Sequence, residues 1–327
     1  MKLSNSKPEL ILHPGFPKCA TSTIQRLFVV DNHALGRLLN VSFIGRDFKP
    51  DNGYPEVSML MYDVEKAHDF ISTVSYPAGK YFLSNEAVFS HPETISLLAE
   101  RFQIRKCIFT IRFPPFQALS SFRFSGWVNN SLEDFLLNKN VGPQGAFERL
   151  LRKVDIVRPF INGDVSLCPI ERLDIPLEER FLKQVFGMVP EILSGHSFSE
   201  KVVVNESISE AFANVLGSEL RTQSVAVPPK SRQRLIKIAQ QYSLPEDLKK
   251  LRMPETAEKF CQTYRPMASR YISLLRESSL PEDQLEAIES RVLSDFDVLQ
   301  TTAIATSREI ESLRIHAQQV IRTYAGM

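Results

Sequence analysis

Residues 10–25 read LILHPGFPKCATSTIQ, and this run constrains the fold more than any other in the chain. Leu10, Ile11 and Leu12 have the composition of a short buried strand, Gly15 and Pro17 supply a turn, and Ile24, Leu27 and Phe28 recur at helical spacing. The first turn of a helix presents free N–H groups and the positive end of the peptide dipoles. A phosphate held over Ala20, Thr21, Ser22 and Thr23 would meet those donors, three hydroxyls and the Lys18 ammonium together. Strand, turn, lysine and helix start in this order predict an anion-holding loop.

The rest of the chain supplies a scaffold for it. Short apolar runs at Leu10 to His13, Val41 to Ile44, Tyr81 to Leu83, Cys107 to Ile111 and Val165 to Leu167 alternate with longer helical patterns. That rhythm predicts an α/β fold, a central parallel sheet flanked by helices. Ligands on such sheets bind past the carboxyl ends of the strands, which places Lys18, Glu86 and Arg112 on one edge. After residue 207 strand signals stop, so the expected organisation is an α/β core over 1–206 and an all-helical C-terminal extension over 207–327. Leu285, Ile288, Val292, Phe296 and Leu299, then Ile310, Leu313, Ala317, Val320 and Tyr324, recur at three and four residues. They predict two amphipathic helices forming an antiparallel pair, which either covers the core or joins two copies as a homodimer.

Charge narrows the partners. With 39 basic and 38 acidic residues the chain has no broad field for nucleic acid or an anionic membrane, so any anion site is local. No run of about 18 apolar residues occurs, and MKLSNSKPEL lacks the apolar core of a secretion signal, which predicts a cytoplasmic protein without a transmembrane segment. The four cysteines have no metal-ligand spacing, and no metal is expected. Cys19 has two readings, a packed thiol or a reactive one whose pKa is lowered by the helix start and Lys18.

A standard nucleotide loop places Lys directly before Ser or Thr, whereas Lys18 precedes Cys19 and the hydroxyls come later. The order Pro17, Lys18, Cys19, Ala20, Thr21, Ser22, Thr23 instead resembles the 5′-phosphosulfate loop of sulfotransferases, with Ala20 where that family most often has Gly. A second segment, KCIFTIRFPPFQALSSFRFS, carries Arg112 at a strand's end and Ser120 eight residues on in a helix opened by Pro114 and Pro115. This is similar to the family's grip on a 3′-phosphate. Glu171 and Leu173, Phe186 and Gly187, and the stretch Val204, Asn205, Glu206, Ser207 resemble further family elements in the family's order. By these segments, which cover about 200 residues, the chain is identified as a member of the sulfotransferase family.

The resemblance implies a P-loop NTPase-like fold and 3′-phosphoadenosine 5′-phosphosulfate as donor, leaving 3′-phosphoadenosine 5′-phosphate as product. Lys18, Cys19, Ala20, Thr21, Ser22, Thr23, Arg112 and Ser120 would hold the nucleotide, with Lys18 stabilising the leaving oxygen. Glu86, in YFLSNEAVF, resembles the family's proton acceptor. It equally fits a cap on the next helix, around His91 to Phe102, or a pair with an Arg, and His13 and His91 are alternates. The acceptor is a hydroxyl or amine on a carbohydrate or small metabolite, met by loops over Asp47 to Tyr62 and Trp127 to Gly145 with Tyr54, Phe124 and Trp127 as stacking faces. A P-loop kinase or other nucleotide phosphotransferase and a catalytically inactive nucleotide-binding homologue are the competing readings.

Overall fold

The computed structural model of the protein describes residues 7–55, 57–89, 91–138, 142–189, 208–254, 256–278 and 280–326. The stretch Val204 to Ser207 lies outside them. Each predicted apolar run is a strand: β1 Glu9–His13, β2 Ser42–Phe43, β3 Lys80–Ser84, β4 Gln103–Ile111 and β5 Asp164–Pro169. They form one all-parallel sheet in the order β2-β3-β1-β4-β5. Between the strands and after them run α1 Thr21–Leu38, α2 Glu93–Arg101, α3 Pro114–Phe124, α4 Pro143–Val157, α5 Leu177–Phe186, α6 Glu210–Thr222, α7 Pro229–Gln241, α8 Met267–Arg276, α9 Glu282–Thr301 and α10 Ser307–Ala325. No described helix is long and apolar enough to cross a membrane.

The chain divides into two compact units. The first is Met1–Arg112, Arg149–Lys201 and Leu274–Leu285, and it contains the whole sheet. β1 is central, with β3 on one side and β4 on the other, so the chain crosses over β1 between them. In an open α/β sheet a reversal of this kind opens a crevice at the strands' carboxyl ends. The strands read as continuous apolar runs because helices cover the sheet. Ile24, Leu27 and Phe28 of α1 pack with Phe43, Phe82, Ile108, Cys168 and Phe181 in one core, where the Phe28 and Phe82 ring centres lie 4.5 Å apart. α5 ends on Gly187, whose φ of 73° is the left-handed turn that a helix C-terminus takes most readily at glycine.

The carboxyl edge of the sheet is stitched by His13. Its Nδ1 meets Ser84 Oγ at 2.8 Å and its Nε2 meets Thr110 Oγ1 at 2.9 Å, which joins the ends of β1, β3 and β4. The ring is fully buried, and burial pushes its pKa down to about 3, so it is neutral.

The second unit is Phe113–Glu148, Val202–Ser273 and Glu286–Met327, and its described elements are helical. Phe113, Phe116, Phe260, Tyr271 and Phe296 build an aromatic core there. The predicted pairing of the last two helices is corrected: α10 packs against α6 and α7, and not along α9. The reason lies in the connection, where Arg252 N–H donates to Ala303 O at 3.1 Å and Ala305 N–H to Arg252 O at 2.9 Å, pinning the linker before a Thr306–Glu309 capping box restarts the helix. Leu285, Ile288, Val292, Phe296 and Leu299 of α9 and Leu313, Ala317 and Val320 of α10 are buried within the single chain.

Candidate functional site

The loop after β1 is built from backbone angles that side chains rarely adopt. Cys19 N–H donates to Phe16 O at 3.1 Å, closing a turn with Pro17 second and Lys18 third, and Lys18 has φ 65°. Positive φ at the third position of such a turn favours glycine, so a lysine there is strained. Ala20 repeats the strain at φ 60° as the residue preceding α1. Helical angles are therefore not what Ala20 adopts. Gly15 has φ 44°, and a Cβ on it would lie 2.4 Å from Thr21 Oγ1. The loop folds back on the helix that closely.

Ala20 gives α1 no side-chain cap, and Ser22 and Thr23 are exposed in its first turn. Thr21 differs from its two neighbours. It is buried, its hydroxyl donates to Phe16 O at 3.4 Å, and its side chain acts on the Glu86 carboxyl, opposing the effect of burial there. The open face of the helix start is thus the backbone with Ser22 and Thr23, while Thr21 belongs to the loop's interior.

Sheet order brings the next residues to this loop. Glu86 opens a 3-10 turn, Glu86–Phe89, directly after β3, and Arg112 follows β4, so they arrive on opposite sides of the β1 loop. Burial pushes the Glu86 carboxyl above the ordinary carboxylate range, while the Thr21 hydroxyl and the Lys18 and Lys153 ammonium groups pull it back. Burial lowers Lys18 in turn, against the attraction of Glu86. Arg112 reaches the loop through Cys19, on whose thiol it acts. Cys19 is 1% exposed, and burial pushes its thiol up to about 12 in spite of Arg112. The reactive-thiol reading is therefore corrected: desolvation outweighs the helix start and the nearby cation. Glu171 is buried and acts electrostatically on the same thiol.

The other predicted residues have their own settings. Ser120 is half-buried on α3, in the second unit. His13 has both ring nitrogens engaged inside the sheet and is no proton acceptor. His91 pairs with Glu93 at 3.4 Å on the surface. Trp127 is fully buried in the second unit, with the Gly217 backbone packed so closely on its carbonyl that a Cβ would lie 2.2 Å away. It is a core residue and no stacking face. Tyr54 and Tyr62 are exposed, and the short helix Val57–Tyr62 packs against the turn that carries Glu86.

Two residues of the cluster had no sequence signal. Lys153, on α4, sets its Nζ 4.3 Å from the Phe16 ring centre and 5.2 Å from that of Phe89. Burial pushes its pKa down to about 8, against the pull of Glu86. Asn85, 1% exposed, accepts from Ala87 N–H at 2.9 Å, and its Nδ2 has no hydrogen-bond partner among the described residues. A buried donor left open beside Glu86 suits a polar ligand.

Chemically, the site offers an uncapped helix start, exposed hydroxyls, three cations on three elements and one desolvated carboxylate. That set can hold an oxyanion and accept a proton beside it. A scan against protein-family models found no match for this chain, and a search of curated proteins found none either.

Proposed function

We propose that this chain is a sulfotransferase of P-loop-like fold, moving a sulfuryl group from 3′-phosphoadenosine 5′-phosphosulfate to a hydroxyl or amine of a carbohydrate or small metabolite. One observation carries the reading: the strained Lys18 loop, Glu86 and Arg112 meet at one carboxyl edge, where Thr21 and Lys18 act on the Glu86 carboxyl and Arg112 on the Cys19 thiol. The site fits the donor's anionic groups. Backbone N–H groups at Ala20 to Ser22 and the exposed Ser22 and Thr23 hydroxyls suit a 5′-phosphate, and Cys19 packs the loop on which they stand. Arg112 suits the 3′-phosphate with its planar fork of donors.

The donor supplies an activated sulfuryl group. Lys18 neutralises the charge that grows on the oxygen leaving with the 5′-phosphate, and Glu86 takes the acceptor's proton as the new sulfur–oxygen or sulfur–nitrogen bond forms. Desolvation suits Glu86 to that task, since it raises the basicity of a carboxylate whose ionised form two lysines maintain. The acceptor's place is over the Glu86 turn, beside the helix Val57–Tyr62.

Transfer of labelled sulfate from the donor to a panel of sugars and phenols tests this reading. Lys18→Ala is expected to abolish transfer in a protein with unchanged circular dichroism. Transfer within about tenfold of wild type would remove Lys18 from the chemistry, and magnesium-dependent phosphoryl transfer from ATP would replace the proposal with a kinase.

A further inference from the structure

We infer that Lys153 is a positioning residue for Glu86, supplying from a distant helix the second positive charge that lets this half-buried carboxyl stand ionised as a proton acceptor. The inference rests on the proposed role of Glu86 but comes from a different observation, the way the Lys153 ammonium is held.

That ammonium lies between two phenyl rings, 4.3 Å from the centre of Phe16 and 5.2 Å from that of Phe89. Phe16 belongs to the Lys18 loop, and Phe89 closes the turn that Glu86 opens. Both rings rest on Phe109 of β4, at 5.8 and 5.9 Å. A lysine that only needed solvation would extend into water, because its stem is flexible and its head strongly hydrated. Here two rings hold it, and ring faces attract a cation without neutralising it. The charge therefore stays available to Glu86, which lies one end of a 3-10 turn away from Phe89.

The groups acting on Glu86 come from three elements: Lys18 from the loop, the Thr21 hydroxyl from α1 and Lys153 from α4. Arg149, one turn earlier on α4, and Cys19 act on Lys153. The helices Val57–Tyr62 and α2 also pack against the turn. Of their ionisable groups, Tyr62 and Glu100 are exposed, Glu93 meets His91, and Arg101 is held by Val74 O and the Tyr76 ring. Lys18 is committed to the leaving oxygen in the proposed reaction, so during turnover Lys153 is the cation left to hold Glu86 ionised.

The test is a carbon-13 titration of the glutamate carboxyls in the full-length protein, with the Glu86 signal assigned by its loss in Glu86→Gln. Lys153→Met keeps the stem and removes the charge, and is expected to move the Glu86 midpoint up by about one pH unit, with the acid limb of kcat/KM moving alike. Lys153→Arg is expected to keep the midpoint near wild type. Should Lys153→Met fail to fold, Phe89→Leu, which loosens the grip on the ammonium, is expected to move the midpoint in the same direction by less. An unmoved midpoint in the folded charge-removing variant, or an equal movement in Lys153→Arg, overturns the inference. Because the titration needs no turnover, a wild-type protein without transfer but with this response would refute the sulfotransferase reading and leave the Lys153–Glu86 coupling standing.

Discussion

Lys18 and Ala20 both hold left-handed backbone angles, at φ 65° and 60°, and neither is glycine. An L-residue there costs roughly 1–2 kcal/mol, a strain that the closed Phe16–Cys19 turn and the buried Thr21 sustain. Ala20→Gly is accordingly expected to stabilise the protein by about 1 kcal/mol, read as a higher melting temperature, and to leave the loop's anion grip intact. A lower melting temperature would mean that Ala20 is not strained. Glu86 carries a second residue-level consequence. A carboxyl held above its ordinary pKa of 4.5 favours the fold while protonated, and that contribution is complete below the unfolded value and lost as pH climbs through the folded one. Glu86→Gln should therefore be more stable than wild type at pH 8, with the gap closing toward pH 4, and yet be slow in transfer. Thermal melts across that range check the sign, and equal stability at all pH values would contradict it.

At the scale of elements, His13 works in the opposite pH window. Its pKa is depressed from 6.5 to about 3, so the stability it lends is present above pH 6.5 and lost as pH falls toward 3. Replacing it by Ala opens a cavity and leaves Ser84 and Thr110 unpaired at the ends of β3 and β4, with an expected cost of about 3 kcal/mol in denaturant melts. A loss under about 1 kcal/mol would mean that the strand ends hold without it. These elements also mark what was legible. The strands could be read because each is a continuous apolar run, and even β2, two residues long, sits inside such a run. The partner of α10 could not, since periodicity defines a buried face but not what covers it. Trp127 was misread for the same reason: an aromatic residue in a loop-like stretch has no local sign of burial. Lys153 lay hidden in a helix, where proximity to Glu86 is a property of packing alone.

At the scale of the molecule, the loop motif and Arg112 stand about ninety residues apart in sequence, and the β3-β1-β4 order places their strands side by side. The central claim is that the Lys18 loop and Arg112 grip opposite ends of one doubly phosphorylated adenosine. Calorimetric titration with 3′-phosphoadenosine 5′-phosphate tests it most directly, on the wild type and on Lys18→Ala and Arg112→Ala. Saturable binding by the wild type and a loss of at least about tenfold in each variant, worth roughly 1.4 kcal/mol apiece, is the predicted result. No binding to the wild type, or equal binding by all three, would contradict the account.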